Sequence, residues 1–168
     1  MGSERNKLMQ WLSRFSLNAK DVNKLTPELS KRTLTVEDFH AVGVHYYAAN
    51  ISKLACPNPE WKKSAAQLIK DGKAGKRIFK NNYVNRPVKL IPEAHQNDAN
   101  AVAIMIAGEL VGYISREENV KVRKILKGRE IISLSGFIGG GDYKVILDDS
   151  SIVKDTNGFN VNIRIKYI

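Results

Sequence analysis

The sequence predicts a mainly β chain with short flanking helices, folded as a small antiparallel barrel or highly curved sheet. Three observations carry this reading. Phe159–Tyr167 alternates strictly, with Phe159, Val161, Ile163, Ile165 and Tyr167 on one face and Asn160, Asn162, Arg164 and Lys166 on the other. Pro87–Arg129 reads as strand, polar loop, strand, tight turn, strand and capped helix. Short apolar runs separated by turn residues dominate the second half of the chain, giving six or seven strands and two or three helices in all. No long sequence repeat is present.

From the N-terminus, Leu8, Met9, Trp11, Leu12 and Phe15 fall on one face of a helix over Glu4–Phe15. Residues 1–35 are read as a helical arm and linker. The domain proper is residues 36–168. Its first strand is placed near residues 33–46, where Phe39 and Ala41 alternate with His40 and Val42. A turn or two of helix follows at Asn50–Leu54. Pro59–Asp71 predicts a short helix, with Gly72 as its stop. Lys73–Arg86 has no clean period.

Val88 and Leu90 begin the next alternation, and Pro92 closes it. The polar loop Glu93–Asn100 carries His95, Gln96, Asn97, Asp98 and Asn100. Ala101–Ile106 and Leu110–Ile114 are strands joined by a tight Ala107-Gly108-Glu109 connection. Ser115 and Glu118 have capping-box spacing at the head of a helix that Gly128 stops. Glu130–Phe137 and Asp142–Leu147 are strands. Gly139-Gly140-Gly141 predicts a turn or mobile loop between them, and Asp148–Gly158 a polar loop with a turn at Asn157-Gly158.

The chain has 168 residues and a net charge of +10. Eight Lys/Arg against two Asp/Glu lie in residues 60–86 alone. A basic excess this concentrated favours a polyanionic partner. Within this block Lys73, Lys76, Arg77, Lys80 and Arg86 are interleaved with Phe79 and Tyr83. That texture fits single-stranded nucleic acid: cations follow phosphates, and rings offer stacking faces.

One cysteine, Cys56, excludes an internal disulfide and a thiolate metal cluster. His40, His45 and His95 lack metal-ligand spacing, and no phosphate-binding glycine motif or nucleophile elbow is present. We therefore expect no catalytic residues, metal or cofactor, and no small-molecule substrate. No apolar run is long enough to span a membrane. Asn6 stands where a myristoylation signal needs Ser or Thr. The expected setting is the cytoplasm, with nucleoid association in a bacterium.

The runs VGVHYYAANISKL (42–54), PVKLIPEAHQNDANAVAIMI (87–106) and GELVGYISREENVKVRKILKG (108–128) resemble the HIRAN domain family. The loop signature stands here as Leu90, Glu93, Asp98, Asn100, Ala101, Val102 and Ile104. A second signature stands as Gly108, Val111, Gly112, Tyr113 and Ile114. The resemblance covers about residues 39–128, with 57–86 as a basic insertion. It implies a small barrel related to the oligonucleotide-binding barrels, of about six strands. It also implies a module that grips the 3′ end of single-stranded DNA, of the kind associated with DNA repair or replication-fork processing.

Carried over, the acidic residue that accepts from a terminal 3′-hydroxyl is Asp98. A carboxylate accepts a hydroxyl proton and repels a 3′-phosphate. The residue before it, usually aromatic, is Asn97, and His95-Gln96 replaces the usual Asn-Pro. The basic-aromatic pair of the first strand falls at Phe39 and His40. The late stacking aromatic falls at Tyr143, with Phe137 as the alternative. Two other readings stay open: an adaptor that docks on a helicase or nuclease, and a cryptic metal-dependent nuclease.

Overall fold

The computed structural model describes residues 33–83, 85–95 and 97–168. The amphipathic helix expected at Glu4–Phe15 lies outside these residues. Thr35–Ile168 form one compact unit. Its elements in order are β1 (Thr35–Val42), a 3-10 turn (Val44–Tyr47), α1 (Ala48–Lys53), β2 (Cys56–Pro57) and a second 3-10 turn (Pro59–Lys62). Then come α2 (Ala65–Lys70), β3 (Arg77–Phe79), β4 (Asn81–Asn82), β5 (Val88–Pro92), β6 (Val102–Ile106) and β7 (Glu109–Ile114). The chain closes with α3 (Arg116–Gly128), β8 (Ile131–Ile146) and β9 (Ile152–Tyr167).

Seven strands make one antiparallel sheet in the order β3-β8-β9-β1-β7-β6-β5, and β2 pairs with β4. The mainly β, antiparallel architecture agrees with the alternation in the sequence. β1 is the hinge of the sheet. Thr35–His40 pair with β9, whereas Ala41 and Val42 pair with β7. Alternation sends Phe39 into the core, where it is 1% exposed, and His40 out to solvent. The strand stops at Val42, earlier than expected. Gly43 turns to a left-handed φ of 70°, and Tyr46 N–H donates to its carbonyl at 3.0 Å.

β6 and β7 form a tight hairpin through Ala107 (φ 49°) and Gly108 (φ 88°). Both central residues have positive φ, which matches the right-handed twist of the flanking strands. Val102, Ala103, Ile104 and Ile106 are all buried, because α3 packs on this hairpin. α3 contributes Val122 and Ile125 to the main core, alongside Phe39, Ile114, Ile163 and Ile165. Each such buried aliphatic side chain stabilises the fold by roughly 1.5–3 kcal/mol. A second, smaller cluster of Leu68, Ile78 and Ile146 roots the insertion on β8.

The sheet curls on itself. An added Cβ at Gly136 in β8 would come 2.8 Å from Ile106 Cδ1 and 3.0 Å from Val88 Cγ2. Strands near opposite ends of the sheet order therefore meet across the core, and only glycine leaves room for the contact.

Two expectations are corrected here. Gly139–Gly141 are neither a turn nor a loop, and Asn157-Gly158 is not a turn. β8 and β9 run as one continuous hairpin of 16 residues per strand. A register shift between Gly139 and Gly141 marks a bulge, with Gly140 at φ 96°. A Cβ on Gly140 would sit 2.2 Å from the Gly158 carbonyl oxygen. The glycines allow a close strand crossing instead of a chain reversal. The reversal is Leu147–Ser151, closed by Leu147 N–H to Ser151 O at 3.0 Å.

The second correction concerns Ser115. Its side chain makes no capping hydrogen bond to the α3 backbone. Its hydroxyl instead donates to Glu118 Oε2 at 3.1 Å. Ser64 forms the complete capping box, with Gln67, at the head of α2. Gly72, at φ 67°, ends α2 as expected, with Lys73 N–H donating back to Leu68 O at 2.9 Å.

Candidate nucleic-acid interface

α3 fixes the polar loop of residues 93–101. Arg116, Asn119 and Arg123 recur at helical spacing and so share one face. Arg116 donates to Asn97 O at 2.6 Å. Asn119 Nδ2 donates to Asp98 Oδ2 at 2.6 Å. Arg123 lies 3.4–3.5 Å from the carbonyl oxygens of Glu93, Ala99 and Ala101. The loop closes on itself through His95 and Asp98, whose backbone groups exchange two hydrogen bonds of 3.0 Å. Asp98 Oδ1 accepts from Asn100 N–H at 2.8 Å.

This loop walls a cleft of about 370 Å³ with the turn that follows β1. Its lining includes Val42, Tyr46, Tyr47, His95, Asp98, Tyr113 and Arg116. Three tyrosines, one carboxylate and one guanidinium therefore meet in one recess. Tyr46 is 78% exposed, and its ring lies 3.8 Å from that of His45. Tyr113 sits 6.2 Å from the Tyr47 ring and 5.7 Å from that of His95. Its hydroxyl donates to Glu93 Oε1 at 2.8 Å. Burial, reinforced by that bond to Glu93, pushes the Tyr113 phenol well above its ordinary value. It stays neutral and serves as a fixed wall. Tyr46, beside it, is exposed at the cleft.

Asp98 can take part in binding although both its oxygens are engaged. A carboxylate offers about four acceptor sites, and two are used by Asn100 and Asn119. The neighbouring Arg116 offers the positive charge that a phosphate needs.

No protein-family model, curated protein or solved structure matches this chain.

The residues singled out from sequence divide among several places. Asp98 lies in the cleft. Asn97 is at its rim, exposed, and engaged through its carbonyl. Phe39 is corrected: its ring belongs to the core and offers no stacking face. His40 is exposed on the outer face of β1.

Tyr143 lies elsewhere, on β8 beside β3. Arg77 stacks 4.8 Å above its ring, and Phe79 is 5.7 Å away. Its hydroxyl donates to Asp155 at 2.9 Å. With Trp61, Lys80, Asp142, Lys154, Asp155 and Thr156 it lines a separate recess. Tyr83 stands edge-on to Phe159 at 6.1 Å, over Gly139 and Gly140.

The basic block is less free than its count implied. Lys63 pairs with Asp71 at 2.8 Å, Lys73 with Glu60 at 3.1 Å and Lys80 with Asp142 at 3.4 Å. Arg86 is half-buried. Its Nε is buried without a partner, and its terminal nitrogen lies 3.7 Å from Cys56 Sγ. Lys76 and Arg77 remain exposed.

Tyr46, Tyr47 and Arg116 were missed as a group. The available signal was a pair of tyrosines directly after a glycine that ends a strand. Aromatics beyond a strand end are released from the inward face that claimed Phe39.

Proposed function

We propose that this chain is a non-enzymatic single-stranded DNA-binding module that takes a free strand end in the Tyr46–Asp98 cleft. The observation that carries the reading is the convergence of Tyr46, Tyr47, Asp98, Tyr113 and Arg116 on one recess. A terminal base stacks on Tyr46. Its phosphate faces Arg116. Asp98 accepts from the free hydroxyl, and the same carboxylate disfavours a terminal phosphate. The exposed Lys76 and Arg77, near Tyr143, add electrostatic attraction for strand farther from the end.

This use of the cleft agrees with the resemblance to the HIRAN domain family. The contact of Gly136 with Ile106 and Val88 supports a closed, OB-like reading of the curled sheet. Repair or fork processing, in the cytoplasm or on a bacterial nucleoid, is the setting that this function fits.

The test is fluorescence anisotropy with labelled single strands that end in a 3′-hydroxyl, end in a 3′-phosphate, or are circular. We expect the hydroxyl-ended strand to bind best. Y46A should weaken it by about tenfold, the order expected for losing one stacked base. Equal binding to all three strands removes end recognition. No binding at low salt removes the whole reading.

A second reading rests on the tip of the β8–β9 hairpin. Leu147, Ile152 and Val153 are 41%, 46% and 49% exposed there. Such a cluster fits an adaptor that docks on a helicase or nuclease. Co-purification that survives nuclease treatment and is lost on V153K favours it.

A further inference from the structure

β9 has a neighbour on both sides for only part of its length. From Asn162, which pairs with His40, to Tyr167 it lies between β1 and β8. Over residues 152–157 it keeps β8 on one side, and among the described residues no strand pairs with the other. β8 differs at this level. Tyr143, Lys144 and Val145 pair with β3 as well as with β9. The sheet therefore ends here on β9, and residues 151–158 are all exposed.

Such an edge presents a row of unpaired backbone N–H and C=O groups, and an extended backbone is what satisfies them. Alternation sets Ile152 and Val153 on opposite faces of the edge, both exposed. The charge is the reverse of the rest of the chain. Residues 147–158 hold Asp148, Asp149 and Asp155 against Lys154 alone, on a chain of net charge +10. Asp149 is fixed at the tip by accepting from Ser151 N–H at 2.9 Å. This excess of carboxylates repels phosphate and attracts Lys or Arg. It also separates this surface from the nucleic-acid cleft.

A second copy of the chain fits the edge poorly. Two-fold antiparallel pairing of β9 with itself covers most of residues 152–157 in two registers. In one the axis falls on Lys154, in the other on Asp155, so like charges lie directly opposite.

We propose that residues 152–157 are a strand-addition edge, taken by an extended basic and apolar segment of a partner protein. The inference rests on the adaptor reading of the hairpin tip and adds the mode of docking and the chemistry of the segment. The backbone of the segment pairs with β9. One apolar side chain packs on Ile152, and the next, on the other face, packs on Val153. Lys or Arg at the tip end of the segment meets Asp148 and Asp149.

The probes are labelled peptides of Val, Ile and Thr, about eight residues long, as an ordinary strand is. They carry a pair of Lys, of Glu or of Ser at one end. A fourth is the Lys peptide with its central amides N-methylated. Fluorescence anisotropy with the full chain should show the Lys peptide binding about tenfold more tightly than the Glu peptide, the order set by exposed charges that attract in one and repel in the other. D148K/D149K should reverse that order. The N-methylated peptide should lose about tenfold or more, since its ladder donors are gone. Hydrogen exchange should slow over residues 152–157 when the Lys peptide binds. Equal binding of the N-methylated peptide, or slowing elsewhere, overturns strand addition. Equal affinity for the Lys and Glu peptides overturns the basic partner. Slowing over residues 152–157 on self-association, or on adding single-stranded DNA, gives the edge to another occupant and overturns the proposal. So does the absence of binding by every peptide. If co-purification lost on V153K is then still seen, the adaptor reading survives without this mode of docking.

Discussion

Asn119 donates a 2.6 Å hydrogen bond to Asp98 from a side chain that is 1% exposed. The one carboxylate in the cleft is therefore held by a buried neutral amide and not by a cation. A neutral donor fixes the carboxylate without cancelling its charge, and leaves it able to repel a terminal phosphate.

Replacing Asn119 tests that arrangement. N119L removes the donor and should cost about 1–3 kcal/mol in urea unfolding, the range for a broken buried hydrogen bond to a charged group. N119D places two carboxylates in contact. It should destabilise the chain at neutral pH and recover on acidification, as the pair comes to share a proton. A flat pH dependence for N119D would show that the loop opens to separate them.

Gly136 is the point where the curled sheet closes on itself. Its missing Cβ is what admits Ile106 and Val88. G136V should cost about 1–3 kcal/mol through overpacking, measured by denaturant midpoint. G136V with I106A should lose less than the sum of the two single losses, since the second change removes one of the two clashing side chains.

Glu37 provides a pH-dependent test. Lys121, and then the Tyr167 hydroxyl at 2.6 Å, hold its carboxyl below the usual glutamate value of 4.5. A depressed carboxylate contributes stability that is present above the unfolded-state value and is lost as pH falls through the folded-state one. The difference in thermal midpoint between the unaltered protein and E37Q should therefore be constant near neutrality and shrink below about pH 4.5. A difference that grows with acid would contradict the assignment.

Lys144 is 5% exposed and donates to the carbonyls of Trp61 and Lys63 at 2.8 and 3.1 Å. Burial holds its amine below the ordinary lysine value. It ties β8 to the turn that opens the insertion. K144M keeps the stem and leaves two carbonyls unpaired. We expect a loss of about 1–3 kcal/mol, with hydrogen exchange speeding first in residues 59–70.

Much of the fold was legible because strand alternation is a local property. Ile163 and Ile165 had to face inward whatever their partners, and Val122 and Ile125 had to lie on one face of α3. The long hairpin was not legible. Gly139–Gly141 and Asn157-Gly158 carry turn chemistry, and only pairing across β8 and β9 reveals that these glycines admit a crossing. The Ser115–Glu118 spacing matched a cap, but a hydroxyl that can also donate chose the nearby carboxylate.

The sequence by itself determined the antiparallel β character, the buried faces, the helix after Ser115 and the polar loop that holds Asp98. Each follows from periodicity or turn chemistry within a dozen residues. Only the tertiary structure decided which side chains share a site. It buried Phe39 and set Tyr46 and Tyr47 in the cleft, because Gly43 ends the alternation that carries Phe39 inward. It separated Tyr143 from Asp98, because Tyr143 lies past the Gly139–Gly141 bulge on the part of β8 that pairs with β3. It supplied Asn119 as the partner of Asp98. These outcomes depend on register and curvature, which are set by contacts between residues far apart in the chain.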